Sequence, residues 1–229
     1  MRYCGVALGP GFVQLCALEE VLVEEPPVRL RASFYEPGDA AGVVAELRSL
    51  GDVVVAVGAP AGEDRACDRE LAERGVAPLP YSAVGARIHD ELSNLGRYSP
   101  SGGTGQVEDG AFRSAALFET NPDAVFCALR GRRVPAKRHP LGIQLRIHEL
   151  EQDHVTDDAG SLWQRRIEEI EAAGAALAAH RYAVGHACWI GDPQDGVIVL
   201  PGSRLPQRFS SEGVLPDVPR ERLNVAAKR

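Results

Sequence analysis

The feature that most constrains the fold is an uninterrupted apolar run at residues 53–59, VVVAVGA, between Asp52 and Pro60. A continuous run of mostly β-branched residues is typical of a strand that is buried on both faces. Such a strand needs neighbouring strands on each side and other elements packed above and below it. The run therefore predicts a layered α/β domain with helices packed on a sheet.

The segments before this run predict more of the same sheet. Residues 3–8 and 12–18 are apolar and flank Gly9-Pro10-Gly11, which predicts a hairpin because glycine supplies the positive φ of tight turns. Residues 28–35 alternate apolar and polar positions, as in a strand with one exposed face. Asp39 is placed to cap a helix over about 40–50. The order of hairpin, strand, helix and buried strand predicts a mixed sheet.

The rest of the chain reads as further helices and short strands. Asp64 and Ser82 are candidate caps for the next two helices, and residues 97–113 form a long polar loop rich in glycine and serine. The remaining predicted elements are a strand at 115–119, a helix to about 130 that starts at Asn121-Pro122, a helix to about 152, a long helix at about 160–181, an apolar segment at 183–190 and a strand at 197–200.

Composition narrows the classes of function. The chain has 229 residues and a net charge of −7, which argues against a surface coated in positive charge for nucleic acid but leaves a local basic groove open. It shows no apolar run of membrane-spanning length and no signal peptide, so we expect a cytoplasmic protein without a membrane partner. Its five cysteines form no C-x-x-C pair, which favours core positions over zinc or redox sites.

Three glutamates are the candidate chemical groups. Glu168 and Glu171 are one helical turn apart, beside an apolar stripe on the last long helix. Two neighbouring acids repel each other unless a cation lies between them, and the simpler interpretation is a solvated face paired with Arg165 and Arg166. Glu119 ends a short strand just before a helix cap, where sites form in α/β proteins, although it could simply bond the turn.

The segment that contains Lys137 and Arg146 is the most basic part of the chain. Arg130, Arg132, Arg133 and Arg138 lie in the same stretch. The segment fits either a contact with phosphate or a balance for the nearby acids. The six histidines show no metal-ligand spacing, and the glycine-rich residues 101–105 lack the Gly-Lys-Ser/Thr of a phosphate loop.

Seven motifs in this order resemble a known family, the ribonuclease H-like predicted nucleases called domain of unknown function 429. The resemblance spans roughly residues 3–201. The matching pieces are GVALGPGFVQLCAL, VVVAVGAP, RACDREL, LFETNPDAVFCALRG, KRHPLGIQLRIHEL, IEEIEAAGAALAAHRYA and GDPQDGVIVLP.

This resemblance implies a fold and a site. The fold is a mixed five-stranded sheet with helices on both faces, and acids from the first strand, the fourth strand and the last core helix converge on Mg²⁺ or Mn²⁺. Glu168 and Glu171 fall on the helix acids, and Glu119 falls on an acid at a strand end. By the same resemblance Lys137, Arg146 and Cys67-Asp68-Arg69 fall on polar motif positions, with Lys137 or Arg146 steering a phosphate.

The chain departs from this family at the centre of the site. The acid of the first strand falls at Ala7, and the acid of the fourth strand falls at Gly58. Mg²⁺ needs near-octahedral oxygen ligands anchored by carboxylates, and metal-dependent hydrolysis uses such ions to activate water. The loss of both sheet acids implies weakened or altered activity.

Two functions from different classes follow from these expectations. The first is a nuclease homologue that retains weakened metal-dependent phosphodiester hydrolysis through Glu119, Glu168 and Glu171. The second is a non-catalytic module that binds a protein partner or a second copy of the chain through a Pro/Arg-rich tail. A phosphotransferase is a weaker third reading, because the acid and glycine motifs it needs are missing. The expected organisation is one domain at 1–201, with an insertion at about 61–113, followed by the tail at 202–229.

Overall fold

The computed structural model describes residues 1–23, 28–96 and 116–210. Its strands in chain order are β1 (Arg2–Gly9), β2 (Phe12–Leu22), β3 (Val28–Phe34), β4 (Val53–Gly58), β5 (Ala116–Glu119), β6 (Val155–Asp157), β7 (Ala187–Asp192) and β8 (Gly196–Pro201). Its helices are α1 (Ala40–Ser49), α2 (Ala66–Glu73), α3 (Ala83–Glu91), α4 (Pro122–Arg130), α5 (Pro140–Gln152) and α6 (Ile167–Ala183). Single turns of 3₁₀ helix lie at Ser93–Leu95 and Leu162–Gln164.

The strands form one mixed sheet in the order β6-β3-β2-β1-β4-β5-β8-β7. β1, β2 and β3 pair as antiparallel neighbours, whereas β1, β4 and β5 run parallel. All six residues of β4 are buried, because the strand has neighbours on both edges and apolar layers on both faces. The predicted α/β class and mixed sheet are confirmed.

The described part of the chain contributes eight strands to this sheet, whereas the resemblance implied five. β6 adds to one edge by pairing with β3, and the β7–β8 hairpin adds to the other edge, where Ile198 of β8 pairs with Glu119. β6 has three residues, which is too short for an alternating pattern to stand out in the sequence. Both segments of the hairpin were expected to be apolar, but periodicity does not show which edge a strand joins.

Helices cover both faces of the sheet. α6 lies across β1, β2 and β4, and the approach is so close that a methyl group at Gly5 would overlap the backbone of Ala172 and Ala176. α4 and α5 pack beside α6. α1 and α3 cover the opposite face, over buried residues that include Val55 and Leu117.

Two helix starts form as the sequence predicts. Asp39 Oδ1 accepts the Gly42 N–H at 2.8 Å at the start of α1, and Asn121 Oδ1 accepts the Ala124 N–H at 3.0 Å at the start of α4. Each side chain satisfies a donor that has no partner inside the helix. The long helix α6 begins at Ile167 rather than near 160, because the 3₁₀ turn occupies the preceding residues.

The start of α2 differs from the prediction. Asp64, the expected cap, lies outside the helix with a φ of 52°. The first helical residue is Ala66, and its N–H donates to Asp195 Oδ2 at 2.6 Å. Asp195 belongs to the turn between β7 and β8, so the cap comes from a distant part of the chain.

The packed chain extends past the predicted domain boundary at 201. Phe209 is buried, Leu205 packs against the same apolar cluster, and the Phe209 N–H donates to Arg74 O at 2.9 Å. The predicted insertion at 61–113 contributes α2 and α3, whereas its loop at 97–113 and residues 211–229 of the tail lie outside the described residues. All five cysteines are buried and unpaired, as expected for core positions. A search of the described residues finds no helix with the length and apolarity needed to cross a bilayer.

Candidate functional site

Glu119 is the last residue of β5, at the edge where the parallel strands β4 and β5 end. Its buried carboxylate accepts two hydrogen bonds from the Arg65 guanidinium, one to Oε2 from Nη1 and one to Oε1 from Nη2 at 2.6 Å. Oε2 also accepts the Ala61 N–H at 2.9 Å. Paired N–H donors on one carboxylate form the most directional type of ion pair in proteins. The chain's own cation therefore holds Glu119 in place.

Arg65 is itself buried at the start of α2, with 4% of its surface exposed. Its Nε and Nη2 donate to Asp68 at 3.1 and 3.2 Å, so two carboxylates surround the guanidinium. Burial raises the pKa of Glu119 above its ordinary value of 4.5, while the hydrogen bonds and charge of Arg65 oppose that rise. A cavity of about 200 Å³ adjoins the pair; on its wall Arg65 and Glu119 are paired with each other, and Asp195 accepts the Ala66 N–H.

The structure places the Cys67-Asp68-Arg69 motif on α2 and gives its two charged residues local partners. Cys67 is fully buried, and burial raises the pKa of its thiol to about 12, which makes it unreactive near neutral pH. Asp68 pairs with Arg65, and Arg69 Nη1 donates to Asp64 O at 2.6 Å. The motif thus shapes the wall around Glu119.

Glu171 lies in the second turn of α6 and is 4% exposed. Lys137 Nζ lies 2.9 Å from both of its carboxylate oxygens. Burial raises the pKa of Glu171 above its ordinary value of 4.5, and the charge and hydrogen bond of Lys137 oppose the rise. Glu171, another of the proposed metal ligands, is therefore already paired with a cation of the chain itself.

Glu168 differs from Glu171 although it lies on the same helix. Its side chain is partly exposed, and it makes no hydrogen bond or ion pair with the described residues. The arginines that were expected to pair with Glu168 and Glu171 instead contact Glu169, which accepts from Arg165 Nη1 at 3.2 Å and from the Arg166 N–H at 2.8 Å. Sequence reasoning missed Glu169, which sits in the first turn of α6 where an acid also suits the helix dipole.

Glu119 and Glu171 lie on opposite faces of the sheet. Glu119 pairs with Val57 across the β4–β5 ladder and so shares the face of Val57, which packs in the core on the side of α1 and α3. Side chains alternate between faces along a strand, and the neighbouring Phe118 packs in the core with α6. Because Glu171 belongs to α6, the sheet separates it from Glu119. The structure does not bring Glu119 together with Glu168 and Glu171.

Ala7 and Gly58, the positions at which the resemblance expects two acids, lie on the α6 side of the sheet. Ala7 is buried in the core with α6, and Gly58 follows on the same face of β4. A Cβ at Gly58 would lie 2.9 Å from both Pro122 Cγ and Val6 O, so the site leaves no room for an acidic side chain. The described residues contain no group of three or more His, Cys, Asp or Glu side chains that could hold a metal ion. The three glutamates expected to bind Mg²⁺ or Mn²⁺ therefore do not form one cluster in the described part of the chain.

Arg146 is enclosed in the core rather than exposed at a groove. It is 1% exposed, and its Nη1 donates to Pro135 O at 2.9 Å and to Gly142 O at 2.8 Å. Its Nη2 donates to Asp123 Oδ1. A phosphate cannot reach it in this arrangement. Lys137 is the accessible member of the pair expected to bind phosphate, with 37% of its side chain exposed.

Arg65 is a second residue that sequence reasoning missed. A signal was present, because Arg65 opens a helix, and the dipole disfavours a cation at a helix N-terminus unless carboxylates surround it. The sequence could not show which carboxylate it meets, since Glu119 is 54 residues away along the chain.

A scan against models of known protein families, a search of curated proteins and a search of solved structures each found no match for this chain. The contacts of Glu119 and Glu171 are therefore the observations from which its function has to be inferred.

Proposed function

We propose that this chain is a ribonuclease H-like protein in which internal cations replace the metal centre, and that it serves as a binding or assembly module. The observation that carries the proposal is the pairing of Glu171 with Lys137, on the sheet face where the resemblance expects the metal; Glu119, on the other face, is likewise paired, with Arg65. A nuclease of this type needs those carboxylates free to hold a divalent ion.

The arrangement of the central strands supports the ribonuclease H-like part of the proposal. The first five strands of the chain form a contiguous mixed block, β3-β2-β1-β4-β5, with helices on both faces. α6 begins above the carboxyl end of β1, because Arg166 at its start bonds Gln14 at 3.1 Å and Gln14 pairs with Ala7. Glu171 thus belongs to the helix and the sheet end at which the resemblance expects an acid.

The energetics of the ion pairs support the loss of hydrolysis. Breaking a buried pair by removing one partner costs about 3–5 kcal/mol, because a charge then remains buried without compensation. At Glu119 a metal ion would have to displace the buried Arg65 and meet that cost, whereas at Glu171 it would compete with Lys137, whose side chain is 37% exposed. It would also find alanine and glycine at the two sheet positions that normally complete the cage.

A weakened hydrolase is the second candidate. The observation that favours it is Glu168, whose partly exposed carboxylate has no partner among the described residues and lies one turn from Glu171. In that case Mg²⁺ or Mn²⁺ would bind through these two helix acids alone, with Lys137 beside the phosphate.

Cleavage assays separate the two candidates. We expect the wild-type protein with Mn²⁺ or Mg²⁺ to cut single-stranded, duplex and branched substrates no faster than Glu171→Gln or Glu119→Gln. Metal-dependent cleavage that disappears in Glu171→Gln would refute the non-catalytic proposal. Loss of that cleavage in Glu168→Gln, with Glu119→Gln unchanged, would assign it to the helix acids.

The partner of such a module is inferred from charge. A net charge of −7 favours a protein surface or a second copy of the chain over bulk nucleic acid, and the sequence at 202–229 is rich in proline and arginine. Light scattering over a concentration series, with and without residues 211–229, tests for self-association. A monomer at every concentration would exclude the second copy as the partner, and added duplex should not change the measured mass.

A further inference from the structure

Lysine is rare in this chain compared with arginine. Of the 25 lysine and arginine residues, only Lys137 and Lys228 are lysines, and Lys137 is the one that the structure describes. Arginine presents a flat fork of donors, whereas lysine presents a compact point charge with three donors on a flexible stem. One of the two lysines in the chain is therefore the partner of Glu171.

The contact between Lys137 and Glu171 has the geometry of a bound ion. Nζ lies 2.9 Å from Oε1 and 2.9 Å from Oε2, so the ammonium group bridges both oxygens of a buried carboxylate. The stem reaches in from the surface, because the lysine side chain is 37% exposed and the glutamate side chain is 6% exposed. The side-chain stem of Lys137 thus extends from the surface and places the ammonium group on the buried carboxylate.

Two further residues fix the backbone from which this stem starts. Arg146 Nη1 donates to Pro135 O at 2.9 Å, two residues before the lysine, and is itself almost completely buried. Gly142 lets the same segment approach α5, because a Cβ there would lie 2.7 Å from Pro135 O and would overlap Ala136 O. The spacing Lys-x₄-Gly-x₃-Arg thus places a cation, a close contact and a buried anchor on one short segment.

We propose that Lys137 is the resident cation of this site and that Arg146 and Gly142 are positioning residues that hold it against Glu171. The inference rests on the proposed function, since a resident ammonium group replaces the external cation that a nuclease would recruit. Glu171 is then unavailable to cations from solution for as long as Lys137 remains paired with it. Displacing the lysine opens the site.

Amine acetylation with sulfosuccinimidyl acetate tests the proposal, because acylation requires Nζ to leave the carboxylate and expose a lone pair. Mass spectrometry measures the rate at Lys137, and Lys228 provides the internal reference in each digest. We expect Glu171→Gln to accelerate acetylation of Lys137 about fivefold, the factor expected for the loss of one partly exposed pair. Arg146→Met and Gly142→Ala should each accelerate it in the same direction.

Matched controls keep the result specific. Arg138→Gln removes an exposed cation next to Lys137, and Glu168→Gln removes an acid one turn from Glu171, so neither should change the rate at Lys137. Circular dichroism identifies any variant that fails to fold, and Gly142→Ala replaces Arg146→Met in that case. Acetylation of Lys137 at equal rates in the wild type and in Glu171→Gln would overturn the inference.

The two proposals fail in distinguishable ways. Metal-dependent cleavage by the wild-type protein would refute the proposed function. An inactive protein in which Lys137 is acetylated as fast as in Glu171→Gln would refute the resident cation alone. An unchanged rate in both Arg146→Met and Gly142→Ala, with acceleration in Glu171→Gln, would refute the positioning roles.

Discussion

Replacing Arg65 by methionine should destabilise this protein more than most single substitutions. Methionine keeps much of the apolar stem but removes the guanidinium that satisfies both oxygens of Glu119. Both residues are buried, with 4% and 6% of their surfaces exposed, so water cannot replace the lost donors. Within the ranges that the structure describes, the hydrogen bond from the Ala61 N–H is then the one left to Glu119.

The expected cost of Arg65→Met is about 3–5 kcal/mol at neutral pH, the range for leaving one partner of a buried pair uncompensated. The cost depends on pH because burial already raises the pKa of Glu119, and loss of Arg65 removes the charge that opposes the rise. A carboxyl with a higher pKa in the folded than in the unfolded state binds protons preferentially when folded. Stability therefore falls as pH rises between the two values and is unaffected below both. The deficit should be larger at about pH 8 than at about pH 5.

Urea unfolding followed by far-ultraviolet circular dichroism measures these differences. Asp68→Asn is the matched control, since it removes the other carboxylate of Arg65 from a more exposed position and should cost about 1 kcal/mol. The double variant Arg65→Met/Glu119→Gln removes both charges and keeps an acceptor for Ala61, so it should recover most of the loss. A deficit below about 1 kcal/mol for Arg65→Met, or a double variant no more stable than it, would refute the reasoning.

Three further predictions concern packing, capping and protonation. Gly5→Ala should cost about 3 kcal/mol by urea unfolding, because its methyl group overlaps the backbone of α6, whereas Gly38→Ala, with no atom within 4 Å, should change little. Asp195→Ala should cost about 1 kcal/mol in the same assay, because the Ala66 N–H loses its acceptor at the start of α2, and an unchanged midpoint would contradict this. Burial lowers the pKa of His180 from its ordinary value of 6.5, aided by Arg181, and its Nδ1 has no partner in the described part of the chain. Because the unfolded chain then binds the proton more readily, stability should fall as pH drops below about 6.5, and His180→Leu should flatten that slope.

Local patterns predicted most of the individual elements. The run at 53–59 became β4, the alternation at 28–35 became β3, and the caps at Asp39 and Asn121 formed as expected. These features depend on periodicity and on donors within a few residues, which a single sequence displays directly. Elements that depend on distant partners were missed, namely β6 and the cap of α2 by Asp195.

The sequence by itself determined the layered α/β class, the acids at Glu119, Glu168 and Glu171, and the absence of an acidic side chain at Ala7 and Gly58. Only the tertiary structure decided that the sheet separates Glu119 from Glu171 and that Arg65 and Lys137 neutralise them. The physical reason is that ion pairs between residues 54 or 34 positions apart depend on which sheet face and which loop each side chain occupies. Residue types and spacing show that charges exist, whereas burial and position determine which charges meet.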